Sequence, residues 1–246
     1  MHDGAPTGKV EAEDIVANDW QRSISVFQLG LSNYRDVHRL QQRLQAQRWE
    51  GGGADTLLLT EHRPVITLGR GHPEPDLRVA ASIVKNQGIE IVPTERGGNI
   101  TYHGPGQLVA YGVVDLKGWD CSVIDFVAGL EEAAIGVLGD WGIRGGRIDR
   151  ARGVWVEGRK IASVGLYVRR WVTMHGIALN VDPDMSHFDL INPCGLADVE
   201  MTSLAAEASK GIGMVDVVDS FTEHFARVFD CETKHESVPR RAMARS

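Results

Sequence analysis

The run GVWVEGRKIASVGLYVRRWVTMHGIALNV, from Gly153 to Val181, is dense in valine, isoleucine, tryptophan and tyrosine and is broken at Glu157-Gly158 and at Arg169-Arg170. β-Branched and aromatic residues suit a pleated surface, and short polar or glycine-bearing breaks between them read as hairpin turns. The run is expected to form three antiparallel strands. Hairpins of this kind argue for an α+β (mixed α/β) domain with a mainly antiparallel sheet, and against a strictly doubly wound parallel one.

Working outward, Ser23 to Leu29 alternates as a strand, and Leu31 to Trp49 reads as an amphipathic helix with Tyr34, Val37, Leu40 and Leu44 on one face. Thr56–Thr60 and Val65–Leu68 are short strands turned through Arg63-Pro64. A helix is expected over Asp76–Asn86, ending at Gly88, and strands over Ile89–Pro93 and Gln107–Leu116. Ser122 followed by Asp125 forms a capping pattern for a helix reaching about Leu138, and a last helix covers Val215–Phe229. Mixed strands and helices with no Pro/Ser-rich linker and no fixed repeat make residues 21–234 one domain. Residues 1–20 and 235–246, polar and poor in apolar side chains, read as flexible ends.

The chain has 246 residues and a net charge of −7, which argues against general nucleic-acid binding. Its three cysteines, Cys121, Cys194 and Cys231, include no C-x-x-C pair. Neither a disulfide framework nor a metal site is expected from them, and a cytoplasmic location follows. No secretory leader and no membrane span is expected: Gly97–Val114 lacks formal charge, but its five glycines and Pro105 interrupt it. The charge is uneven. From Arg144 to Arg170 eight basic residues face only Asp149 and Glu157, a local +6 that would steer an acidic macromolecule.

Four motifs carry chemistry. In RGGNITYHGPGQ, from Arg96, paired glycines admit backbone N–H groups to a ligand while Arg96, Thr101 and His103 supply donors; a structural turn around a buried histidine fits the same residues. It is not a nucleotide loop, because the Walker spacing is absent. In NPCG, Cys194 sits on a Pro/Gly turn, where a loop nucleophile and an inert thiol are both consistent with its flanks. In RKIASVG, Lys160 interrupts β-rich sequence: pointing inward it would partner a thiol, and pointing outward it is a solvated hairpin residue. In MHGIALN, small residues alternate with apolar ones, leaving room for an alkyl chain or packing a tight core.

Taken in order with Tyr111, these motifs resemble the octanoyltransferases, the lipoyl(octanoyl) transferases of lipoate biosynthesis, over about residues 22 to 230. The resemblance implies the biotin/lipoate protein ligase superfamily fold. It implies transfer of an octanoyl (or lipoyl) group from acidic acyl carrier protein to a lysine of the lipoyl domains of 2-oxoacid dehydrogenase complexes or of glycine-cleavage H protein. By the same resemblance Cys194 is the acyl-thioester nucleophile and Lys160 activates it. Substrate binding falls to Arg96, Gly97, Gly98, Asn99, Ile100, Thr101, Tyr102 and His103, to Ser163, Val164 and Gly165, and to Gly176, Ile177 and Ala178. A monomer needing no cofactor beyond the phosphopantetheine on the donor is implied. The rival readings are an ATP-dependent lipoate or biotin ligase, a cysteine amidotransferase acting between lipoyl-bearing proteins, and a non-catalytic carrier-binding module.

Overall fold

The computed structural model describes residues 22–71, 76–192, 199–209 and 211–237. β1 (Arg22–Ser32) passes through Asn33 into α1 (Tyr34–Trp49), and β2 (Thr56–His62) and β3 (Val65–Leu68) follow. Next come α2 (Ala81–Asn86), β4 (Glu90–Pro93), β5 (Ile100–His103), β6 (Gln107–Val113) and the long α3 (Val123–Asp140). The strands β7 (Gly146–Ile148), β8 (Ala151–Val156), β9 (Arg159–Arg169) and β10 (Val172–Asn180) lead to a 3₁₀ helix (Met185–Leu190), and then to α4 (Leu204–Glu207), α5 (Met214–Phe229) and β11 (Cys231–His235).

The described strands form an eight-stranded sheet in the order β11-β1-β2-β6-β10-β9-β8-β7 and a three-stranded sheet in the order β4-β3-β5. β1 runs parallel to both β11 and β2, β3 runs parallel to β4, and every other pair is antiparallel. The expected mixed, mainly antiparallel sheet flanked by helices is therefore the fold observed.

Alternation along the strands divides the core into two layers. Leu57, Leu59, Leu108, Ala110, Ile177 and Leu179 face α3 and α5, whereas Leu58, Val109, Tyr111 and Ala178 face α1. On α5, Val217, Phe221, Phe225 and Phe229 recur every four residues and are all buried. Each buried phenylalanine contributes roughly 2–3 kcal/mol. Gly129 of α3 allows this closeness, since a Cβ there would stand 2.4 Å from the Phe229 ring. The Ser122 cap is present: its hydroxyl accepts from Asp125 N–H at 3.1 Å, a contact worth about 1 kcal/mol.

Several boundaries differ from the sequence reading. Leu31 and Ser32 belong to β1, because a register irregularity at Gln28/Gly30, with Gly30 at φ +60°, lets the strand continue. Of Asp76–Asn86 only Ala81–Asn86 is helical; Arg78 N–H bonds to Leu190 O and Leu77 bridges Ile191, which holds that segment extended. The second hairpin turns at Arg170-Trp171, both at positive φ, one residue later than expected. β5, β7 and β11 were not foreseen. β11 takes in His235, which the sequence reading placed at the head of the C-terminal end. No helix among the described residues is long and apolar enough to cross a membrane.

Candidate functional site

A recess opens on the α1 side of the sheet, between β9, β10 and the segment Arg96–His103. Register explains how two of the motifs meet: Gly165 pairs with Gly176, Val164 with Ile177 and Ser163 with Ala178. Gly165, Ser163, Gly176 and Ala178 therefore share one face, a floor with almost no side-chain bulk. Val164 and Ile177 also border the recess, while their side chains alternate to the other face and pack in the core beneath α3. The two glycines admit close neighbours: a Cβ on Gly165 would stand 3.0 Å from Gly97 O and 3.3 Å from Arg96 Cδ, and one on Gly176 would stand 2.1 Å from Ala110 O.

The wall comes from the glycine-rich run. Its middle is strand β5 paired with β3, not a loop throughout. Arg96, Gly98, Asn99, Ile100, Thr101 and His103 line the recess; Gly97 and Tyr102 do not. Gly97 N–H bonds to Leu166 O at 2.7 Å, tying the run to β9. Tyr102 turns away, stacking edgewise on Phe188 and bonding through its hydroxyl to His187 Nδ1 at 2.8 Å. The Arg96 guanidinium is nearly buried and donates to Thr67 Oγ1 and Thr67 O, so its charge is held fixed beside the recess.

Lys160 lines the same recess and is only 3% exposed, which removes the solvated-hairpin alternative. Its ammonium nitrogen lies 5.3 Å from the centre of the Trp155 ring, a cation–π contact. Room for the side chain comes from Gly153, at φ +115°, where a Cβ would stand 2.7 Å from Lys160 Cε and 2.3 Å from Ala162 O. Gly153→Ala is accordingly expected to cost several kcal/mol and to lower activity with it. A thermal midpoint equal to the parent's would refute that geometry.

Cys194, with Pro193 and Gly195, lies outside the described residues. The chain on either side of it is described. Asn192 N–H bonds to Asp76 O, Lys160 N–H bonds to Glu200 O at 2.8 Å and Thr202 N–H bonds to Lys160 O at 2.9 Å. The other two cysteines are poor nucleophiles. Burial pushes the Cys231 thiol up to about 12, and burial together with Asp125 raises that of Cys121.

A hydrogen-bond chain links the motifs. His103 Nδ1 meets Gln107 Oε1 at 2.7 Å, Gln107 Nε2 donates to Asn180 Oδ1 at 2.8 Å, and Asn180 Nδ2 donates to Thr202 O at 2.9 Å. Thr202 in turn pairs with the Lys160 backbone, so His103 and Gln107 of one motif and Asn180 of another brace the lysine. Beside it, Tyr111 donates to His62 Nε2 at 2.8 Å. Tyr34 also lines the recess, and burial raises its hydroxyl well above the usual phenol range.

Burial keeps the imidazoles neutral. Desolvation lowers His62 to about 4, and desolvation with the His62 charge lowers His103 to about 3. Both values lie below the unfolded one near 6.5, so the unfolded chain binds protons that the native one refuses. Stability from these two residues is complete above about pH 6.5 and is lost as pH falls toward 4, by several kcal/mol in all. Denaturant midpoints flat between pH 7 and pH 4.5 would contradict this.

The local +6 stretch is not an open basic face. Arg147 pairs with Glu131 at 3.1 Å and Glu132 at 2.8 Å, and Arg159 pairs with Glu207 at 3.1 Å. Arg169 and Arg170 lie over the Trp49 ring. The acidic and aromatic partners come from α1, α3 and α4, outside the counted segment. Arg144 and Arg152 are exposed and remain for a partner.

His38, His62 and Glu95 were not singled out by the sequence reading, Tyr34 was read only as a core position, and His175 only as part of its motif. They come from α1, β2, the segment after β4 and β10, and no spacing in the chain unites them.

Comparison with known proteins gives consistent results. The lipoyl protein ligase A/B catalytic domain matches residues 33–226. An octanoyltransferase of Solibacter usitatus (strain Ellin6076) is 49% identical over 212 residues, covering 86% of this chain and 95% of the relative. One from Syntrophobacter fumaroxidans is 43% identical over 218 residues, covering 89% and 96%. Among solved structures, the putative lipoate protein ligase Ta0514 of T. acidophilum with bound lipoic acid superposes with a TM-score of 0.71 at 15% identity, covering 89% of this chain and 91% of that one. The last likeness concerns the fold alone.

Proposed function

The chain belongs to the lipoyl protein ligase A/B catalytic family and, within it, to the octanoyltransferases, and on that premise we propose that it carries octanoyl from acyl carrier protein, through a thioester on Cys194, to a lysine of a lipoyl domain. It is an acyltransferase of lipoate biosynthesis.

The observation that carries the reading is the burial of Lys160 in the lining of the recess, with the chain on the C-terminal side of Cys194 hydrogen-bonded to its backbone. Lys160 takes the Cys194 proton, giving a thiolate–ammonium pair. The thiolate attacks the donor thioester, and the tetrahedral intermediate collapses as the S–C bond to phosphopantetheine breaks. The Lys160 ammonium returns its proton to the departing thiol. The octanoyl chain enters the recess beside Gly165 and Gly176, which carry no side chains of their own.

In the second half-reaction the acceptor lysine arrives as a neutral amine and attacks the Cys194 thioester. Lys160 removes the proton released as the amide forms, and the thiol is regenerated. Thioester exchange is nearly balanced and amide formation from a thioester is downhill, so neither ATP nor a metal or redox cofactor is required. Lipoyl domains of 2-oxoacid dehydrogenase complexes and glycine-cleavage H protein are the acceptors, and the acidic carrier meets the cytoplasmic enzyme near Arg144 and Arg152.

Intact-mass spectrometry with separate donors tests the proposal. One octanoyl group on Cys194 after incubation with octanoyl-carrier, released on adding lipoyl domain, is expected. Labelling or product only with octanoate and ATP would establish a ligase instead. Carrier binding with no acyl group gained on either protein would leave a binding module.

A further inference from the structure

At the edge of the recess stand His38 from α1, Glu95 from the segment following β4, and His175 from β10. His38 Nε2 is 2.9 Å from both Glu95 oxygens, and His175 Nε2 is 3.7 Å from Glu95 Oε1. One ligating atom from each residue falls within 4.8 Å of the other two. The rings of His38 and His175 lie nearly parallel, 24° apart, with centres separated by 5.6 Å.

Two features separate this group from an ordinary polar cluster. His175 is 1% exposed, yet its Nε2 has no hydrogen-bond partner, although it points toward the Glu95 carboxylate. Its backbone, at φ +62°, occupies the left-handed region in the middle of a strand, where a residue with a Cβ is strained. Gln41 Oε1 accepts from the His175 N–H at 2.8 Å and holds that conformation. A buried imidazole nitrogen therefore faces a carboxylate at ion-pair distance, longer than an ordinary hydrogen bond, from a backbone conformation that strand residues rarely adopt.

We propose that His38, Glu95 and His175 form a binding site for a borderline divalent transition-metal ion of the zinc class. With metal–ligand bonds of about 2.0–2.2 Å, two ligand atoms of a tetrahedral site stand about 3.4 Å apart. The observed 2.9 Å and 3.7 Å separations bracket that value. Two imidazoles and one carboxylate select zinc, cobalt, nickel or copper over magnesium and calcium, which take all-oxygen shells. Three protein ligands leave a fourth position for water or for a group entering the recess, which His175 also lines. The ion is additional to the acyl-transfer chemistry, which uses Lys160 and Cys194.

Competition of Zn²⁺ against a chromophoric chelator, and the visible spectrum of the Co²⁺ form, test the site on the full-length metal-stripped protein. One equivalent bound, with tetrahedral cobalt bands lacking a thiolate charge-transfer band, is expected, and Cys194→Ser should leave both unchanged. His38→Gln and Glu95→Gln should each weaken Zn²⁺ binding roughly tenfold or more, with folding checked by circular dichroism. The proposal fails if the unsubstituted protein retains no equivalent. It fails equally if affinity survives both substitutions, or if Mg²⁺ displaces the zinc at millimolar concentration. None of these readouts depends on octanoyl transfer.

Discussion

Cys194→Ser is expected to lower kcat/KM for octanoyl transfer by about a thousandfold or more and to abolish the octanoyl adduct. A free thiol titrates near 8.5, within reach of a buried amine acting as base, whereas a serine hydroxyl does not. No other described thiol can take over: Cys231 is fully buried with its thiol pushed up to about 12, and Cys121 is also raised. Steady-state transfer to a lipoyl domain, with intact mass measured in parallel, checks both effects. Turnover within a few fold of the parent would remove Cys194 from the reaction.

Lys160→Met is expected to lower transfer by roughly 10²–10⁴-fold and to move the alkylation profile of Cys194 toward that of an ordinary thiol. Methionine keeps much of the side-chain volume between Trp155 and Gly153, so the site should remain folded where alanine would leave a void. Arginine should not rescue the rate, because a guanidinium cannot give up a proton near neutrality. The rate of iodoacetamide modification against pH separates the two effects. An unchanged profile would take Lys160 out of thiol activation even if the transfer rate fell.

The sheet was legible where periodicity and turn chemistry agree. Glu157 and Gly158 both adopt positive φ, as a tight hairpin requires, and the strands on either side follow from their β-branched residues. β5 was hidden because its four residues sit among glycines that read as loop, and only β3, more than thirty residues earlier, gives them a ladder. The extended segment after Asp76 was hidden for a related reason: Leu190 and Ile191, far along the chain, hold it.

The same contrast runs through the site. Lys160 and the small residues of β9 and β10 could be named because they fall within contiguous motifs, and the pairing of Gly165 with Gly176 then brings those motifs together. Gly97 and Tyr102 were assigned to substrate binding by the resemblance, as members of the run Arg96–His103. Strand alternation turns Tyr102 toward Phe188, and Gly97 spends its N–H on Leu166. Tyr34, His38 and Glu95 could not be found, because an amphipathic stripe marks a residue as facing inward without saying whether core or cavity lies there.

The pairing of β1 with β11 sets an order of events during synthesis. Arg22, the first described residue, is registered against Cys231, and its guanidinium bonds to Phe229 O. One edge of β1 therefore stays without its native neighbour until more than two hundred further residues have been made. Contacts of such long range slow folding, and an open strand edge invites pairing with another chain. A product released before Cys231 would retain every motif residue named for the acyl site, yet it would present that edge to its neighbours. For the nascent protein, the last strand matters more to solubility than to chemistry.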